Sequence, residues 1–409
     1  MTDSLRDLTD ACVHCGFCLP SCPTYQLTGE EAHSPRGRIH LLRQLLDGNA
    51  TPDEIVDPID TCLGCLACVP ACPSGVQYEP IIEAGRELVV DARPLRERIA
   101  RKALFQVLPY PRRLSASTLP LRLVPALAKV DPLFEAASDL APTSGDQPPA
   151  RQLPRRIPAR GPRRAVVGLL TGCAQSVFFR HVSAATARVL AMEGCDVAVP
   201  RGQGCCGALS MHAGHAAQAR RLARRVVAAF TRAGVDIVVT DVAGCGSAMK
   251  GYARLLADDP KWADAAARLA DKVRDITEFL VELGPEAERD ALPMTVAYHD
   301  ACHLANGQGI SAEPRKLLAD IPDLRVVDLA DGGRCCGSAG TYNLTQPETA
   351  AELGERKAHA IMATGASMVA AGNPGCLLQI EASLRKLGSP IRVRHTIELV
   401  DASLRGVRL

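Results

Sequence analysis

Two cysteine runs of identical spacing constrain the first part of this 409-residue chain more than any other feature. Each run reads Cys-x₂-Cys-x₂-Cys-x₃-Cys-Pro. The runs comprise Cys12, Cys15, Cys18 and Cys22, then Cys62, Cys65, Cys68 and Cys72. Iron in a cubane cluster prefers four soft thiolates, and two residues between ligands let a tight turn wrap one face of the cube. The sequence therefore predicts two [4Fe–4S] clusters.

The last cysteine of each run precedes proline and points away from its own turn. In two-cluster ferredoxins this fourth cysteine ligates the other cluster. Carried over to this chain, the rule predicts one cluster on Cys12, Cys15, Cys18 and Cys72 and a second on Cys62, Cys65, Cys68 and Cys22. Gly16 and Gly64 suit a close approach of the backbone to inorganic sulfur.

Zinc is the main alternative, because it also binds paired Cys-x₂-Cys hooks. A zinc site needs four ligands, so the third cysteine and the Cys-Pro of each run would be surplus. A disulfide framework is disfavoured in the cytosol, which keeps thiols reduced. Iron–sulfur clusters are thus the favoured interpretation of these eight cysteines.

Composition narrows the class of protein. Lys and Arg number 47 against 45 Asp and Glu, so no basic excess points to a nucleic-acid partner. Apolar stretches such as 166–170 are too short to cross a bilayer, and the N-terminus lacks the apolar core of a secretory signal. We expect a soluble cytoplasmic protein, with docking on the inner face of the membrane or on a partner subunit left open.

Helical signals surround the cysteine runs. Ser34 is a suitable N-cap, Pro35 suits the first helical position, and Gly48 ends the apolar pattern that follows. A second helix is predicted over roughly 80–101. Residues 1–105 are therefore predicted to form an α-helical ferredoxin domain.

A proline-rich segment follows, over 106–162. Residues 106–164 contain 11 prolines, which disfavour regular structure, and 151–164 contain six arginines. The favoured interpretation is a solvated linker. A surface arm that binds an acidic partner or anionic lipid is the alternative.

From about residue 163 short apolar runs alternate with amphipathic segments. Strands are predicted over 165–170, 196–199 and 236–240, and helices over 181–193 and 212–233. This alternation predicts a parallel sheet with flanking helices.

The same cysteine order then occurs twice. The first set is Cys173, Cys205-Cys206-Gly207 and Cys245, and the second is Cys302, Cys335-Cys336-Gly337 and Cys376. Corresponding cysteines are offset by 129, 130 and 131 residues. A nearly constant offset indicates an internal duplication, with one α/β repeat over 163–290 and another over 291–409.

Loops at the carboxyl ends of parallel strands meet in one crevice, so each repeat is expected to bring four sulfurs together. A metal or redox role is the favoured interpretation of these eight cysteines. Cys195, outside the pattern, is interpreted as core. His299 and His303 flank Cys302 and offer metal ligands, although an ordinary core or surface role is favoured for each.

Both signatures have counterparts in known families. The Cys-Cys-Gly repeats resemble the cysteine-rich domains of heterodisulfide reductases. The first run with its continuation Thr-Tyr-Gln-Leu, the later Ser34-Pro-Arg-Gly-Arg-Ile, and Cys72-Pro-Ser-Gly-Val-Gln-Tyr resemble glycolate oxidase iron–sulfur subunits. The heterodisulfide reductase pattern ends each repeat in Cys-x₂-Cys, whereas this chain has Ala248 and Gln379 at the last position. At most one additional iron–sulfur or metal centre per repeat is therefore expected.

The resemblance implies an electron-transfer subunit of a glycolate dehydrogenase complex, without a catalytic residue of its own. A separate FAD-binding subunit would oxidise glycolate to glyoxylate, and electrons would pass toward a quinone or similar acceptor. The alternatives are the same role with lactate or glycerol-3-phosphate as donor, and a thiol–disulfide enzyme acting through a vicinal pair.

Overall fold

The computed structural model of the chain, which describes residues 2–123, 140 and 152–409, has a helical N-terminal part followed by two α/β layers. The predicted fold class is confirmed.

The N-terminal part is built from short helices around the two cysteine runs. Its helices are α1 (Thr2–Asp10), α2 (Pro23–Thr28), α3 (Pro35–Leu46), α4 (Pro52–Asp60), α5 (Tyr78–Leu88) and α6 (Leu95–Val107). Helices α1 and α4 are offset by 50 residues, as are the two runs that follow them. Fully buried Leu42, Ile55, Ile59 and Ile81 form the centre of this domain.

The predicted start of α3 is confirmed. The Ser34 hydroxyl accepts a hydrogen bond from the backbone N–H of Gly37 at 3.0 Å, and Pro35 is the first helical residue. The helix ends at Leu46, and Gly48 adopts a left-handed φ of 77°.

The single helix predicted over 80–101 is wrong, because α5 and α6 are separate. Arg93 between them is extended, since the ring of Pro94 disfavours helical geometry in the residue before it. The break lets the buried Arg93 guanidinium donate two hydrogen bonds of 2.8 Å to the carboxylate of Asp60.

The proline-rich segment is more regular than predicted. Helix α7 (Pro111–Leu123) begins on a proline, which suits the first helical position because no N–H partner is lost there. Strand β1 (Arg156–Ile157) adds to the edge of the first sheet, and the Arg164 guanidinium donates to the carbonyl of Leu283 at 2.6 Å. The middle of the predicted linker, 124–139 and 141–151, lies outside the described residues.

The first α/β layer contains a five-stranded sheet in the order β1-β3-β2-β4-β5, parallel except for β1. Its further elements are β2 (Ala165–Leu170), α8 (Ala174–Phe178), α9 (Arg180–Met192), β3 (Cys195–Ala198), α10 (Ala208–His212), α11 (Ala216–Ala233), β4 (Ile237–Thr240), α12 (Ala243–Lys250), α13 (Tyr252–Leu255), α14 (Ala263–Lys272), β5 (Val273–Asp275) and α15 (Ile276–Leu283).

The second layer contains a four-stranded parallel sheet in the order β7-β6-β8-β9. Its elements are β6 (Met294–His299), α16 (Cys302–Gln308), α17 (Ala312–Ala319), β7 (Leu324–Asp328), α18 (Tyr342–Thr345), α19 (Pro347–Met362), β8 (Met368–Ala371), α20 (Pro374–Lys386), β9 (Arg392–His395) and α21 (Thr396–Leu404). Strands β6 to β9 repeat the order of β2 to β5, as a duplication requires.

The helix predicted over 212–233 is divided. Residues 208–212 form α10, and α11 begins only at Ala216. Gly214 between them has φ +82°, and a Cβ there would lie 2.7 Å from the backbone of Arg86. The chain therefore bends where it meets the ferredoxin domain.

The two repeats pack reciprocally around one shared apolar core. Helix α9 of the first repeat packs on α21 of the second, and the equivalent α17 of the second packs on α15 of the first. Each repeat thus makes the same helix contact with the other, as two subunits do across a two-fold interface.

Candidate metal and redox centres

Both cysteine runs fold into the same turn. In each run, the residue before the second cysteine and the residue after it have positive φ: His14 and Gly16 in the first, Gly64 and Leu66 in the second. Between the second and fourth cysteines, both runs form the same pair of backbone hydrogen bonds, the second of which is donated by the N–H of the fourth cysteine. Two non-glycine residues in a left-handed conformation are costly, so surrounding structure must enforce the turn.

The first three cysteines of the second run and the fourth cysteine of the first run line one pocket. Its empty volume is about 290 Å³, and its lining includes Cys22, Cys62, Cys65 and Cys68. These four thiols are the set that the sequence groups on one cluster. A pocket with four converging thiols fits the ligand requirement of a cubane cluster.

A buried arginine reaches into this pocket. Arg38 is 1 % exposed, its Nε donates to the carbonyl of Pro58 at 2.6 Å, and its Nη1 lies 3.9 Å from the Cys22 sulfur. Burial alone would lower the pKa of Arg38, but Cys62, Tyr78 and Cys22 raise it above its usual value. The guanidinium therefore supplies a fixed positive charge beside thiolate ligands.

The thiols of this pocket differ in the direction in which their pKa values are shifted, because arginines act on Cys62 but not on Cys65 or Cys68. Burial works to raise the pKa of Cys62, yet Arg38 and Arg86 hold it below the ordinary value. Burial and then neighbouring thiols raise the pKa of Cys65 and of Cys68 well above it. Those two thiols favour a proton until a metal replaces it, so metal loading releases protons.

The first run lies nearer the surface. Cys15 is exposed, and the side chains of Val13 and Phe17 on either side are each 67 % exposed. Arg36 Nη1 donates to the carbonyl of His14 at 2.9 Å and closes the inner side of the turn. This arrangement gives the run an apolar surface at which a partner protein can approach.

The first repeat brings its four thiols into a chain of contacts. Cys173 is in hydrogen-bonding contact with Cys205, which contacts Cys206, and the sulfurs of Cys206 and Cys245 lie 3.1 Å apart. All four are buried. Cys245 lies in the first turn of α12.

The second repeat repeats this chain of contacts. Cys302 contacts Cys335, Cys335 contacts Cys336, and Cys336 contacts Cys376 in the first turn of α20. His299 adds a ring nitrogen that lies within 4.8 Å of the sulfurs of Cys336 and Cys376.

The ferredoxin pocket adjoins the second repeat. The side chain of Asn306 on α16 donates to the carbonyl of Cys65 at 3.0 Å, and the thiols of Cys65 and Cys302 are close enough to raise the pKa of Cys65, after burial. Leu63 and Tyr342 belong to the apolar cluster that encloses Cys302 and Cys335. The pocket and the second set of thiols thus share one water-poor region.

Several residues at these centres were not identified from the sequence. Arg38 sits among ordinary helical residues of α3, and Asn306 and Tyr342 belong to no motif. Only the spatial position of each reveals a role. A polar residue on the apolar face of α3 was the one available signal for Arg38.

Cys195 and His212 lie outside the two sets of repeat thiols, whereas His303 Nδ1 lies 3.6 Å from the Cys302 sulfur. Cys195 is fully buried in the shared core, as predicted. His212 joins Glu79 and Glu83 in a second group with metal-ligand geometry, but Arg254 is ion-paired with both carboxylates.

No helix among the described residues is long and apolar enough to span a bilayer.

Comparison with known families identifies all three units. Residues 9–76 match the 4Fe-4S dicluster domain, and 167–250 and 296–381 each match the family described as Cysteine-rich domain. The N-terminal part is thus an iron–sulfur domain, and the duplication is confirmed.

Relatives extend the match to nearly the whole chain. The chain is 37 % identical to the "Probable glycolate oxidase iron-sulfur subunit" of Bacillus subtilis, over 96 % of this chain and 93 % of that protein. It is 36 % identical to the "Glycolate oxidase iron-sulfur subunit" of Escherichia coli, over 96 % and 94 % respectively.

One further relative matches part of the chain, and one solved structure is similar in fold. "Lactate utilization protein A" of an Exiguobacterium species is 30 % identical, over 58 % of this chain and 98 % of that protein. A crystal structure of a hypothetical protein from Helicobacter pylori shares the fold, with a TM-score of 0.58 and 9 % identity over 92 % of this chain and 69 % of that one.

Proposed function

The chain belongs to the family of glycolate oxidase iron–sulfur subunits, and we propose that it carries electrons from a glycolate-oxidising flavoprotein subunit toward a quinone or similar acceptor. The contact between the ferredoxin pocket and the second set of thiols is the observation that supports this role most strongly. Such a contact joins two candidate redox sites through protein with little water between them.

The eight ferredoxin cysteines are proposed as the ligands of two [4Fe–4S] clusters, with Cys22 and Cys72 exchanged between the runs. The pocket that groups Cys22 with Cys62, Cys65 and Cys68 supports the exchange. When bound, such clusters take up and release single electrons. Arg38 offsets the negative charge of the thiolates, and the surrounding apolar side chains exclude water.

The eight cysteines of the repeats are proposed as additional metal or redox groups. Both sets are buried and in contact through consecutive sulfurs. The missing fifth cysteines, at Ala248 and Gln379, favour an ordinary centre over a non-cubane cluster.

The exposed side of the first run is the proposed point of electron exchange with the FAD-binding subunit. Cys15 is accessible there, and Phe17 offers an apolar contact. Cysteines clustered as metal ligands suit a reducing compartment, which supports the proposed cytoplasmic location. The quinone would be met at the inner face of the membrane.

Replacing Cys65 with Ser tests the relay, because Ser is a poor ligand for iron and Cys65 adjoins the second repeat. In the complex with its flavoprotein subunit, we expect glycolate to reduce the flavin as in the parent while reduction of a quinone analogue falls at least tenfold. Cys195→Ala, in the core, is the matched control and should retain acceptor turnover. Unchanged acceptor turnover in Cys65→Ser would contradict the relay.

Lactate is the second candidate donor, favoured by the similarity to Lactate utilization protein A. Comparing flavin reduction by glycolate and by lactate in the same complex distinguishes the two. A thiol–disulfide enzyme is disfavoured, because Cys205 and Cys206 are 1 % and 2 % exposed, and the pKa of each thiol is raised. A buried, protonated thiol is a poor nucleophile.

A further inference from the structure

The two repeats surround their thiols with different chemistry. Five positions near the thiols are polar in the second repeat and apolar in the first. His299, His303, Ser338, Asn373 and Gln379 correspond to Leu170, Ala174, Ala208, Val242 and Ala248. The backbone frame is shared, so the difference lies in what each repeat can bind.

His299 is the most unusual of these side chains. It ends β6, is 1 % exposed, and neither of its ring nitrogens has a hydrogen-bond partner among the described residues. Leaving a polar ring unpaired in the core is unfavourable, because its nitrogens have given up their hydrogen bonds to water. One ring nitrogen nevertheless lies within 4.8 Å of two thiol sulfurs, those of Cys336 and Cys376. A ligand that uses the nitrogen and both sulfurs would remove the cost.

Two other polar residues of the second repeat, Asn373 and Gln379, have partners within the protein. The side chain of Asn373 approaches the Cys376 sulfur at 3.6 Å as a donor. Gln379, at the position of the missing fifth cysteine, accepts from Asn343 at 3.1 Å and donates to the carbonyl of Ala350 at 2.9 Å. Gln379 is therefore satisfied by the protein, which leaves His299 as the additional donor to a ligand.

Charge separates the two repeats further. A divalent ion held by two thiolates and a neutral imidazole forms a centre with no net charge, which suits a buried site. Four thiolates around the same ion leave a net charge of −2, and burying net charge without a partner is costly. The first repeat, with Leu170 in place of the imidazole, offers only thiols.

We propose that the second repeat, and not the first, binds a single divalent transition metal ion through His299, Cys336 and Cys376. Mixed imidazole and thiolate ligands are the chemistry of zinc and of iron. This site rests on the proposed metal or redox role of the repeat thiols. It assigns metal binding to the second repeat alone and adds His299, which lies outside the cysteine pattern, as a ligand.

Counting metal in the full chain tests this site. Anaerobically purified protein, treated with a mild chelator, is analysed for iron, zinc and acid-labile sulfide. We expect about one iron or zinc per chain beyond the eight irons of two cubane clusters, with no matching excess of sulfide. Elemental analysis distinguishes iron from zinc.

Variants assign the ion to its ligands. His299→Leu, which reproduces the first repeat, and Cys336→Ser should each lose the additional ion, whereas Cys206→Ser, the first-repeat counterpart, should keep it. Unchanged cluster EPR spectra show that each variant is folded.

Other results would overturn the proposal. They are parent protein without the additional ion, His299→Leu that retains it, Cys206→Ser that loses it, or excess sulfide that indicates a further cluster. The relay is measured separately by acceptor turnover with Cys65→Ser, so failure of one proposal is distinguishable from failure of the other.

Discussion

At the scale of single residues, Arg38 links the ferredoxin fold to its redox chemistry. Its side chain is fully enclosed and held by the carbonyl of Pro58 and the hydroxyl of Thr24, at 2.6 Å and 3.0 Å. The charge is therefore fixed beside Cys22 and Cys62 rather than free to turn to solvent. A fixed positive charge makes a nearby centre easier to reduce.

Arg38→Met is expected to lower the reduction potential of the cluster in this pocket by on the order of 100 mV, since unit charges about 5 Å apart interact by roughly 3 kcal/mol at an effective dielectric constant of 20. An EPR-monitored redox titration measures it. Arg43→Met on the same helix, where the arginine pairs with Asp10 at the surface, is the control and should leave the potential unchanged. Equal shifts in both variants would exclude a specific role for Arg38.

His395 is a buried titratable residue that joins the two repeats. Its Nε2 donates to the carbonyl of Asp241 at 2.8 Å, and its Nδ1 accepts from the N–H of Ile397 at the start of α21. Burial lowers the pKa of His395 to about 4. The neutral ring is needed for the second bond, because a protonated Nδ1 cannot accept, whereas Nε2 donates in either state.

The sign of the pH effect follows from linkage. Between pH 6.5 and about 4 the unfolded chain binds this proton and the folded chain does not, so stability is full above pH 6.5 and is lost as the pH falls. This group should cost roughly 1 kcal/mol between pH 7.5 and 6.0. His395→Asn, which keeps a capping oxygen without titrating, should show a smaller drop in thermal midpoint than the parent. An identical drop would contradict this assignment.

At the scale of elements, the turn between α10 and α11 sets the contact between the ferredoxin domain and the first repeat. Arg86 on α5 donates to the carbonyl of His212 at 2.5 Å and also to the carbonyl of Cys62. Gly214 permits this approach, because any side chain there would meet the backbone of α5.

Gly214→Ala and Gly234→Ala form a matched pair. Both glycines have positive φ, so both substitutions should cost roughly 1–2 kcal/mol in backbone strain. A Cβ at Gly234 meets nothing within 4 Å, whereas one at Gly214 overlaps α5, which should cost roughly 1–3 kcal/mol more. Thermal unfolding of the two variants measures the difference. Equal midpoints would show that α5 moves away from a Cβ at position 214 without loss of stability.

Element predictions from the sequence succeeded where one local signal acts alone. The Ser34-Pro35 start of α3 and strand β2 over 165–170 were predicted correctly. The predictions over 80–101 and 212–233 failed. The apolar periodicity continues across Pro94 and Gly214, but the helical backbone is interrupted at both positions. Long-range contacts, with Asp60 in one case and Arg86 in the other, use those breaks.

At the scale of the whole molecule, duplication produced two similar frames that the ferredoxin domain meets differently. The second cysteine run lies against α16 of the second repeat, through Asn306 and Leu66. The first repeat meets the same domain through the turn at Gly214. The second set of thiols is therefore the one that adjoins a candidate cluster, although the sequence motifs of the two repeats are alike.

The amino-acid order was sufficient to establish the two cysteine runs, the duplicated Cys-Cys-Gly pattern and hence the family, because ligand spacing and strand order are local properties of the chain. Packing in three dimensions was needed to place Arg38 beside Cys22 and Cys65 against Cys302. It also placed His299, and not its neighbour His303, with the thiols of Cys336 and Cys376. Those relations depend on contacts between segments far apart in sequence, and no spacing rule encodes the distance between them.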